Sequence, residues 1–281
     1  MTAPMTLGEA RQYGVQCLQA VSPSAAADAE YLLEKASGAS RLRMRSHPEA
    51  ALAPGAWQAF EALLARRAGG EPVAYCVGER GFMDFTLSID AAVLIPRPET
   101  ELLITTALNY PSAHILDLGT GSGCIAIAMA RAWPSAQIVA VEQCAQALAC
   151  ARHNAECLGA EAIQFKQGNW YAPVNGARFD LILANPPYIA DAEPHPDQGD
   201  ARFEPRTALR AGPTGLEAIS AIIQAAPQHL QAGGWIWLEH GYRQAEAVRA
   251  QLIRNGFNQV TTHSDLAGHE RVSGAQWSAL P

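Results

Sequence analysis

Asn185-Pro186-Pro187-Tyr188 follows directly on the apolar run Phe179-Asp180-Leu181-Ile182-Leu183-Ala184. Two consecutive prolines fix φ and hold the segment rigid. Asn185 then offers a side-chain carbonyl and Pro186 a backbone carbonyl. Two fixed acceptors suit a planar NH2, and an aromatic ring at Tyr188 can lie against the flat group. An amide or aniline-like nitrogen is a poor nucleophile because its lone pair is delocalised. Hydrogen bonds from both of its protons favour a pyramidal nitrogen and free the lone pair for in-line attack on an electrophilic methyl. Catalysis of that kind comes from positioning and fixed dipoles. No general base is needed beforehand, since the proton becomes acidic only after transfer.

A second constellation lies upstream, in His114-Ile115-Leu116-Asp117-Leu118-Gly119-Thr120-Gly121-Ser122-Gly123-Cys124. It reads as a hydrophobic strand, a glycine-rich turn and a helix start. Glycines allow the sharp turn and the close approach of a ligand to the main chain. The spacing is G-x-G-x-G, unlike the G-x-G-x-x-G of dinucleotide folds, and the lysine of a P-loop is absent. The motif therefore fits a nucleoside cofactor without a pyrophosphate, such as one bearing a sulfonium methyl. Glu142, at the end of the next strand, can accept hydrogen bonds from both ribose hydroxyls. Trp170 follows the third strand and could cover the adenine face. Arg97, just before Pro98, could close over the cofactor's carboxylate or pair with Glu99. His240 is expected to satisfy backbone groups rather than act as a base.

The elements that must position these residues are legible as periodicities. Strands are expected at 114–118, 137–141, 162–165, 179–184 and 235–239, and helices at about 99–109, 122–132, 143–158, 214–231 and 243–255. This alternation makes a mostly parallel sheet covered on both faces. An antiparallel edge pair from 258–262 and 271–277 brings it to seven strands, a Rossmann-like α/β architecture. Residues 6–70 read as helix after helix, with Ser24 capping one and Gly69-Gly70 ending the last, and 1–71 is expected to form a small helical bundle suited to docking a substrate. Between them, 72–96 changes to short extended pieces, Val73–Val77 and Phe82–Ile89, read as a β-hairpin linker. The α/β domain then occupies 97–281.

Composition excludes several classes. At 281 residues, 49 % apolar and 17 % charged, the chain has an ordered globular balance. No apolar run reaches the ~20 residues that span a bilayer. Met1 to Leu7 shows no basic start leading into an apolar stretch, so a cytoplasmic address is expected. Six cysteines form no C-x-x-C and no zinc-like spacing with histidine. Free, mostly buried thiols and no metal are expected. The net charge of −7 falls entirely beyond residue 75. That disfavours a duplex-binding surface, which neutralises phosphates with basic side chains. The run Arg41-Leu42-Arg43-Met44-Arg45 reads as a solvated helix end.

Taken together, these residues resemble the release-factor glutamine methyltransferases (the PrmC/HemK family) over nearly the whole chain. Ile95-Pro96-Arg97-Pro98-Glu99-Thr100-Glu101 is similar to that family's segment before the cofactor domain, Asp117–Gly123 to its cofactor loop and Asn185–Tyr188 to its catalytic tetrad. Gln198-Gly199-Asp200, Arg202-Phe203-Glu204-Pro205 and Ala208-Leu209 look like its substrate-side loop. Glu239-His240-Gly241 and Glu270-Arg271-Val272 match its C-terminal signatures. The resemblance implies S-adenosyl-L-methionine as methyl donor, with S-adenosyl-L-homocysteine as product. The acceptor it implies is N5 of the glutamine in the Gly-Gly-Gln loop of peptide-chain release factors, in translation termination. It places Gly119, Thr120, Gly121, Ser122, Gly123, Glu142, Asn169, Trp170, Asn185 and Arg97 at the cofactor. Asn185, Pro186, Pro187, Tyr188 and Glu204 are placed at the substrate, with Asn185, Pro186 and Tyr188 catalytic. A monomer without nucleic acid or membrane partner is expected. Asn169 and Glu142 depart from the aspartates usual there. Asn-Pro-Pro-Tyr alone is shared with DNA adenine and RNA guanine methyltransferases, so a nucleic-acid amino-methyltransferase is the alternative, and a non-catalytic protein retaining the fold a remoter one.

Overall fold

The computed structural model describes residues 6–194 and 197–278. Met1 through Met5, most of the stretch without a basic, apolar leader pattern, lie outside the described residues. The chain forms two compact units. One runs to Glu79 and includes Gln198–Phe203; the other comprises Arg80–Asp197 and the chain from Glu204 onward.

The first unit is helical: α1 (Leu7–Leu18), α2 (Ala25–Ser37), α3 (Arg41–Ser46), α4 (Ala56–Ala68) and α5 (Val73–Val77). Thr6 and Glu9 form a capping box at the start of α1. Leu18, Leu32, Leu33, Met44 and Phe60 fill the interior. Ser24 stands at the N-cap of α2, but its hydroxyl donates to Asp28 instead of accepting from the backbone. The reason is a buried ion pair: Arg67 Nε lies 2.8 Å from Asp28, and both are almost fully buried. A buried carboxylate collects every donor within reach. The other side of the Arg67 guanidinium holds Asp200 at 2.7 Å, so the segment Gln198–Phe203 is anchored in this unit. Within the basic run, Arg45 bonds the buried Glu30 at 2.6 Å and Arg41 pairs with Glu34, while Leu42 and Arg43 stay exposed.

Val73–Val77 was expected to be extended and is the helix α5. Its β-branched residues favour a strand, but Pro72 opens a helical turn and Gly78, at φ 76°, closes it through Gly78 N to Ala74 O at 2.9 Å. The hairpin is correspondingly shorter than 72–96. Strands β1 (Glu79–Phe82) and β2 (Phe85–Ser88) form a two-stranded sheet, and the intervening Met83 takes φ 50°.

In the second unit the order is α6 (Pro98–Ala107), β3 (His114–Leu118), α7 (Cys124–Ala132), β4 (Gln137–Glu142), α8 (Ala145–Cys157), β5 (Gln164–Gln167), β6 (Phe179–Ala184), α9 (Arg206–Leu209), α10 (Glu217–His229), β7 (Leu230–Glu239), α11 (Ala245–Arg254), β8 (Asn258–Ser264) and β9 (Glu270–Gln276). The sheet runs β5-β4-β3-β6-β7-β9-β8, parallel through β7 and antiparallel beyond. Strand β5 begins two residues later than read, and β7 begins at Leu230, with a register irregularity before Trp235. All six cysteines are free; Cys76 and Cys124 are buried, whereas Cys17 and Cys157 are exposed. Fewer thiols are buried than expected, because Cys17 and Cys157 fall on the outer faces of α1 and α8.

The switch from parallel to antiparallel pairing places β9 between β7 and β8, with Trp237 opposite Gly274. A Cβ at Gly274 would lie 2.2 Å from the Trp237 ring, and Trp237 is fully buried. The missing side chain is what allows that indole to lie flat on the neighbouring strand. Gly274→Ala is therefore expected to lower stability by about 1–3 kcal/mol through overpacking, measured as a reduced urea midpoint. A change well under about 0.5 kcal/mol, the scale of neutral surface substitutions, would contradict the fit.

Candidate active site

Parallel strands deliver their C-terminal ends to one edge of the sheet, and the crevice lies where the strand order reverses. Here β3 is central, with β4 and β5 to one side and β6 and β7 to the other. The turns after β3, β4, β5 and β6 therefore converge, and a cleft at that edge is lined by residues from each.

The turn after β3 is Gly119–Gly123. Gly119, Gly121 and Gly123 take φ of 74°, 55° and 87°, a region closed to most side chains. The amides of Gly119 and Thr120 both donate to Val141 O, tying the turn to β4. A Cβ on Gly119 would meet the Trp170 ring at 3.3 Å. Glu142 spans the mouth: Oε2 accepts from Gly121 N at 3.1 Å and Oε1 from Cys144 N at 2.9 Å. A carboxylate oxygen has more than one lone pair, so both keep acceptor capacity toward the cleft. Asn169 and Trp170 line it from the turn after β5, with Trp170 at φ 46°. Thr120, Gly121 and Ser122 also line it; Gly123 lies beneath, against Ile127 and Ala151.

Asp117, at the end of β3, is fully buried. Its Oδ2 accepts from Thr120 Oγ1 at 2.5 Å, and its Oδ1 has no hydrogen-bond partner among the described residues. Burial raises its carboxyl to about 7, against the Thr120 hydrogen bond. A turn of three glycines at positive φ, with an acid across the mouth and a tryptophan over Gly119, fits a nucleoside cofactor that approaches the main chain closely. The sequence reading placed Asp117 in the loop motif but assigned it no site role; its complete burial was not visible there.

The tetrad leaves the end of β6. Asn185 Nδ2 donates to Thr100 Oγ1 at 2.9 Å, and Thr100 Oγ1 donates to Glu239 Oε2 at 2.8 Å. Tyr188 Oη approaches Glu239 Oε1 at 3.4 Å, and the Tyr188 carbonyl accepts from Gln244 Nε2 at 2.9 Å. Ile189 N donates to Leu209 O and the Ile189 carbonyl accepts from Ala211 N, which pins the following loop to the end of α9. Asn185, Pro186 and Pro187 line the cleft, while the Tyr188 ring packs behind them against the core. Among the described residues no donor reaches Asn185 Oδ1 or the Pro186 carbonyl. Burial pushes the Tyr188 hydroxyl well above its usual range, so it stays protonated.

Beyond Gly123 and Tyr188, two further expected site residues, Glu204 and Arg97, are not among the residues that line the cleft. Glu204 is buried, accepting from Ile95 N at 3.2 Å and from the Arg97 guanidinium, so its carboxylate is spent inside the protein. Arg97 accordingly pairs with Glu204 instead of Glu99. A carboxylate that loses water needs a cation, and Arg97 is the one at hand. The pair clasps the segment before α6 to that before α9; Pro96 and Pro205 from these segments, with Thr207 and Ala208 of α9, line the cleft. His240 is buried, with Nδ1 3.0 Å from Gly241 O and Nε2 2.8 Å from Ser273 Oγ. A carbonyl only accepts, so Nδ1 carries the proton. Burial lowers its pKa.

The Asp117 environment fixes a pH dependence. Its folded pKa of about 7 exceeds the unfolded value of about 4. Between those values the native state holds a proton that the unfolded chain has lost, so stability falls as pH rises from about 4 to about 7. In urea titrations the wild type should lose this contribution across that window, and Asp117→Asn should lack it. Equal pH slopes for the two proteins would contradict the burial.

Comparisons with known proteins agree with this geometry. Residues 9–78 match the family model described as "PrmC N-terminal domain", and 98–204 match "Methyltransferase small domain". A protein of Xylella fastidiosa named "Release factor glutamine methyltransferase" is 45% identical over 250 residues, covering 88% of this chain and 91% of its own. One of the same name from Shewanella oneidensis is 40% identical over 277 residues, covering 98% and 97%. A third, from Pseudomonas aeruginosa, is 44% identical, covering 92% and 94%. Among solved structures, a methyltransferase from Pyrococcus furiosus superimposes with a TM-score of 0.55 at 18% identity, over 77% of this chain and 98% of that one, a likeness of fold. With both domain models matched in order and relatives aligned over nearly its whole length, the chain belongs to the release factor glutamine methyltransferase family.

Proposed function

We propose that this protein transfers the methyl group of S-adenosyl-L-methionine to N5 of the glutamine side chain in the Gly-Gly-Gln motif of peptide-chain release factors, in translation termination. The observation that carries the reading is the pair of unclaimed acceptors, Asn185 Oδ1 and the Pro186 carbonyl, at the mouth of the glycine-turn cleft. The curated relatives share the activity by name over most of the chain.

When bound, the cofactor supplies a sulfonium methyl and leaves as S-adenosyl-L-homocysteine. Gly119–Ser122, Glu142, Asn169 and Trp170 would hold its nucleoside, with Asp117 buried beneath the same turn. Asn185 and Pro186 accept the two amide protons of the glutamine and hold its nitrogen with the lone pair toward the cleft. Tyr188, fixed through its ring and carbonyl, sets the depth to which the glutamine enters. The rigid diproline keeps the two carbonyls at a constant spacing, so little reorganisation is required at the transition state. The departing proton needs no dedicated base, because the alkylated nitrogen is strongly acidic. The helical unit docks the release factor. The protein acts in the cytoplasm as a monomer without nucleic acid; no helix among the described residues is long and apolar enough to cross a membrane. The net charge of −7 supports a protein over a polyanionic substrate.

Asn185→Ala should lower kcat by about 10²–10³-fold, the usual loss when one preorganised hydrogen-bonding group is removed. Cofactor affinity by calorimetry should change only a few-fold. A variant with near wild-type turnover would remove Asn185 from the mechanism.

A further inference from the structure

Asparagine is an ambiguous catalytic group. Its oxygen and nitrogen are nearly the same size, and a half-turn about the last side-chain bond exchanges an acceptor for a donor. With the amide reversed, Asn185 would point an NH2 at the reacting NH2, donor against donor, and the site would fail. Something must break the degeneracy, and neither proline of the tetrad can.

We propose that Thr100 and Glu239 are positioning residues, a buried relay that fixes the Asn185 amide with its oxygen toward the reacting nitrogen. The inference rests on the reading of Asn185 as acceptor given above. A threonine hydroxyl has one proton and two lone pairs. Thr100 Oγ1 lies 2.8 Å from Glu239 Oε2, and an ionised carboxylate only accepts, so the hydroxyl proton must go there. What remains on Thr100 is an acceptor, and the group 2.9 Å away on Asn185 is forced to be Nδ2. The hydrogen bonds then run in one direction, from Asn185 to Thr100 to Glu239, and Oδ1 is left for the cleft. The same carboxylate meets Tyr188 Oη through its other oxygen, so one buried acid addresses both ends of the tetrad. Thr100 and Glu239 are 1% and 0% exposed, which keeps competing water away.

The relay reverses if Glu239 is protonated. A carboxylic acid donates to Thr100, whose proton then turns to Asn185 Oδ1, and the amide is no longer forced into the productive orientation. Burial raises the Glu239 carboxyl to about 7, against the Thr100 hydrogen bond. Glu99 of α6 pushes it up as well, while Arg271 of β9 and the Tyr188 hydroxyl pull it down. Cys124 of α7, a neutral thiol through burial, also faces it, and His240 turns its ring to Gly241 and Ser273. Methyl transfer should therefore weaken as pH falls through about 7.

The test uses the full chain with an unmethylated release factor and the variants Thr100→Val, Thr100→Ser and Glu239→Gln. Thr100→Val keeps the shape and loses the acceptor; kcat should fall about 10–100-fold, as for other supporting-shell groups, with cofactor Kd unchanged within about twofold. Thr100→Ser should restore most of the loss. The acid limb of the wild-type kcat profile should be absent in Glu239→Gln. A second readout needs no turnover: the Asn185 side-chain amide resonance, assigned by its absence in Asn185→Ala, is followed by NMR between about pH 5 and 9. It should titrate near pH 7 in the wild type and stay still in Glu239→Gln. Wild-type kcat in Thr100→Val, or a resonance that does not move in the wild type, would overturn the relay. If the wild type methylates no release factor, the functional reading fails, while the NMR titration still decides the relay.

Discussion

The hydrogen bond from Asn185 Nδ2 to Thr100 Oγ1 leaves Asn185 Oδ1 on the cleft beside the Pro186 carbonyl, and the proposed chemistry depends on that arrangement. Asn185 Oδ1 and the Pro186 carbonyl take no hydrogen bond from any described residue, and both residues line the cleft. The surrounding groups are correspondingly over-determined. Thr100 claims the Asn185 nitrogen, Gln244 claims the Tyr188 carbonyl, and Leu209 and Ile189 close the loop behind them.

The sheet supplies the second half of the site by placing several turns on one edge. Because β3 and β6 are neighbours, the glycine turn and the tetrad emerge side by side although Gly119 and Asn185 are distant in sequence. Glu142 reaches back from β4 to brace Gly121, and Asp117 lies buried under the same turn. Two buried carboxyls, Asp117 and Glu239, thus sit beneath the two halves of the cleft, each raised to about 7 by loss of water.

Much of this was legible in the sequence because it is written locally. The glycine turn, the acid at the end of β4, the diproline tetrad and the strand–helix alternation are short-range patterns with short-range physical causes. The misreadings share the opposite origin. Val73–Val77 carries strand-favouring side chains, yet Pro72 and Gly78 bound a single helical turn that packs against α2. Glu204 and Arg97 were read individually at the substrate and the cofactor, and their mutual pairing is a long-range contact that no local pattern announces. Only folding shows that they neutralise each other. Thr100 and Glu239 are separated by most of the second unit, so no spacing rule could join them to Asn185.

The central claim is that the bare acceptors present a glutamine amide to a methyl donor. Mass spectrometry of an unmethylated release factor, incubated with the protein and S-adenosyl-L-methionine, tests it directly, with DNA and RNA as parallel acceptors. The account predicts one added methyl group on the Gly-Gly-Gln glutamine and none on the nucleic acids. Methyl transfer to adenine or guanine, with the release factor unchanged, would contradict it.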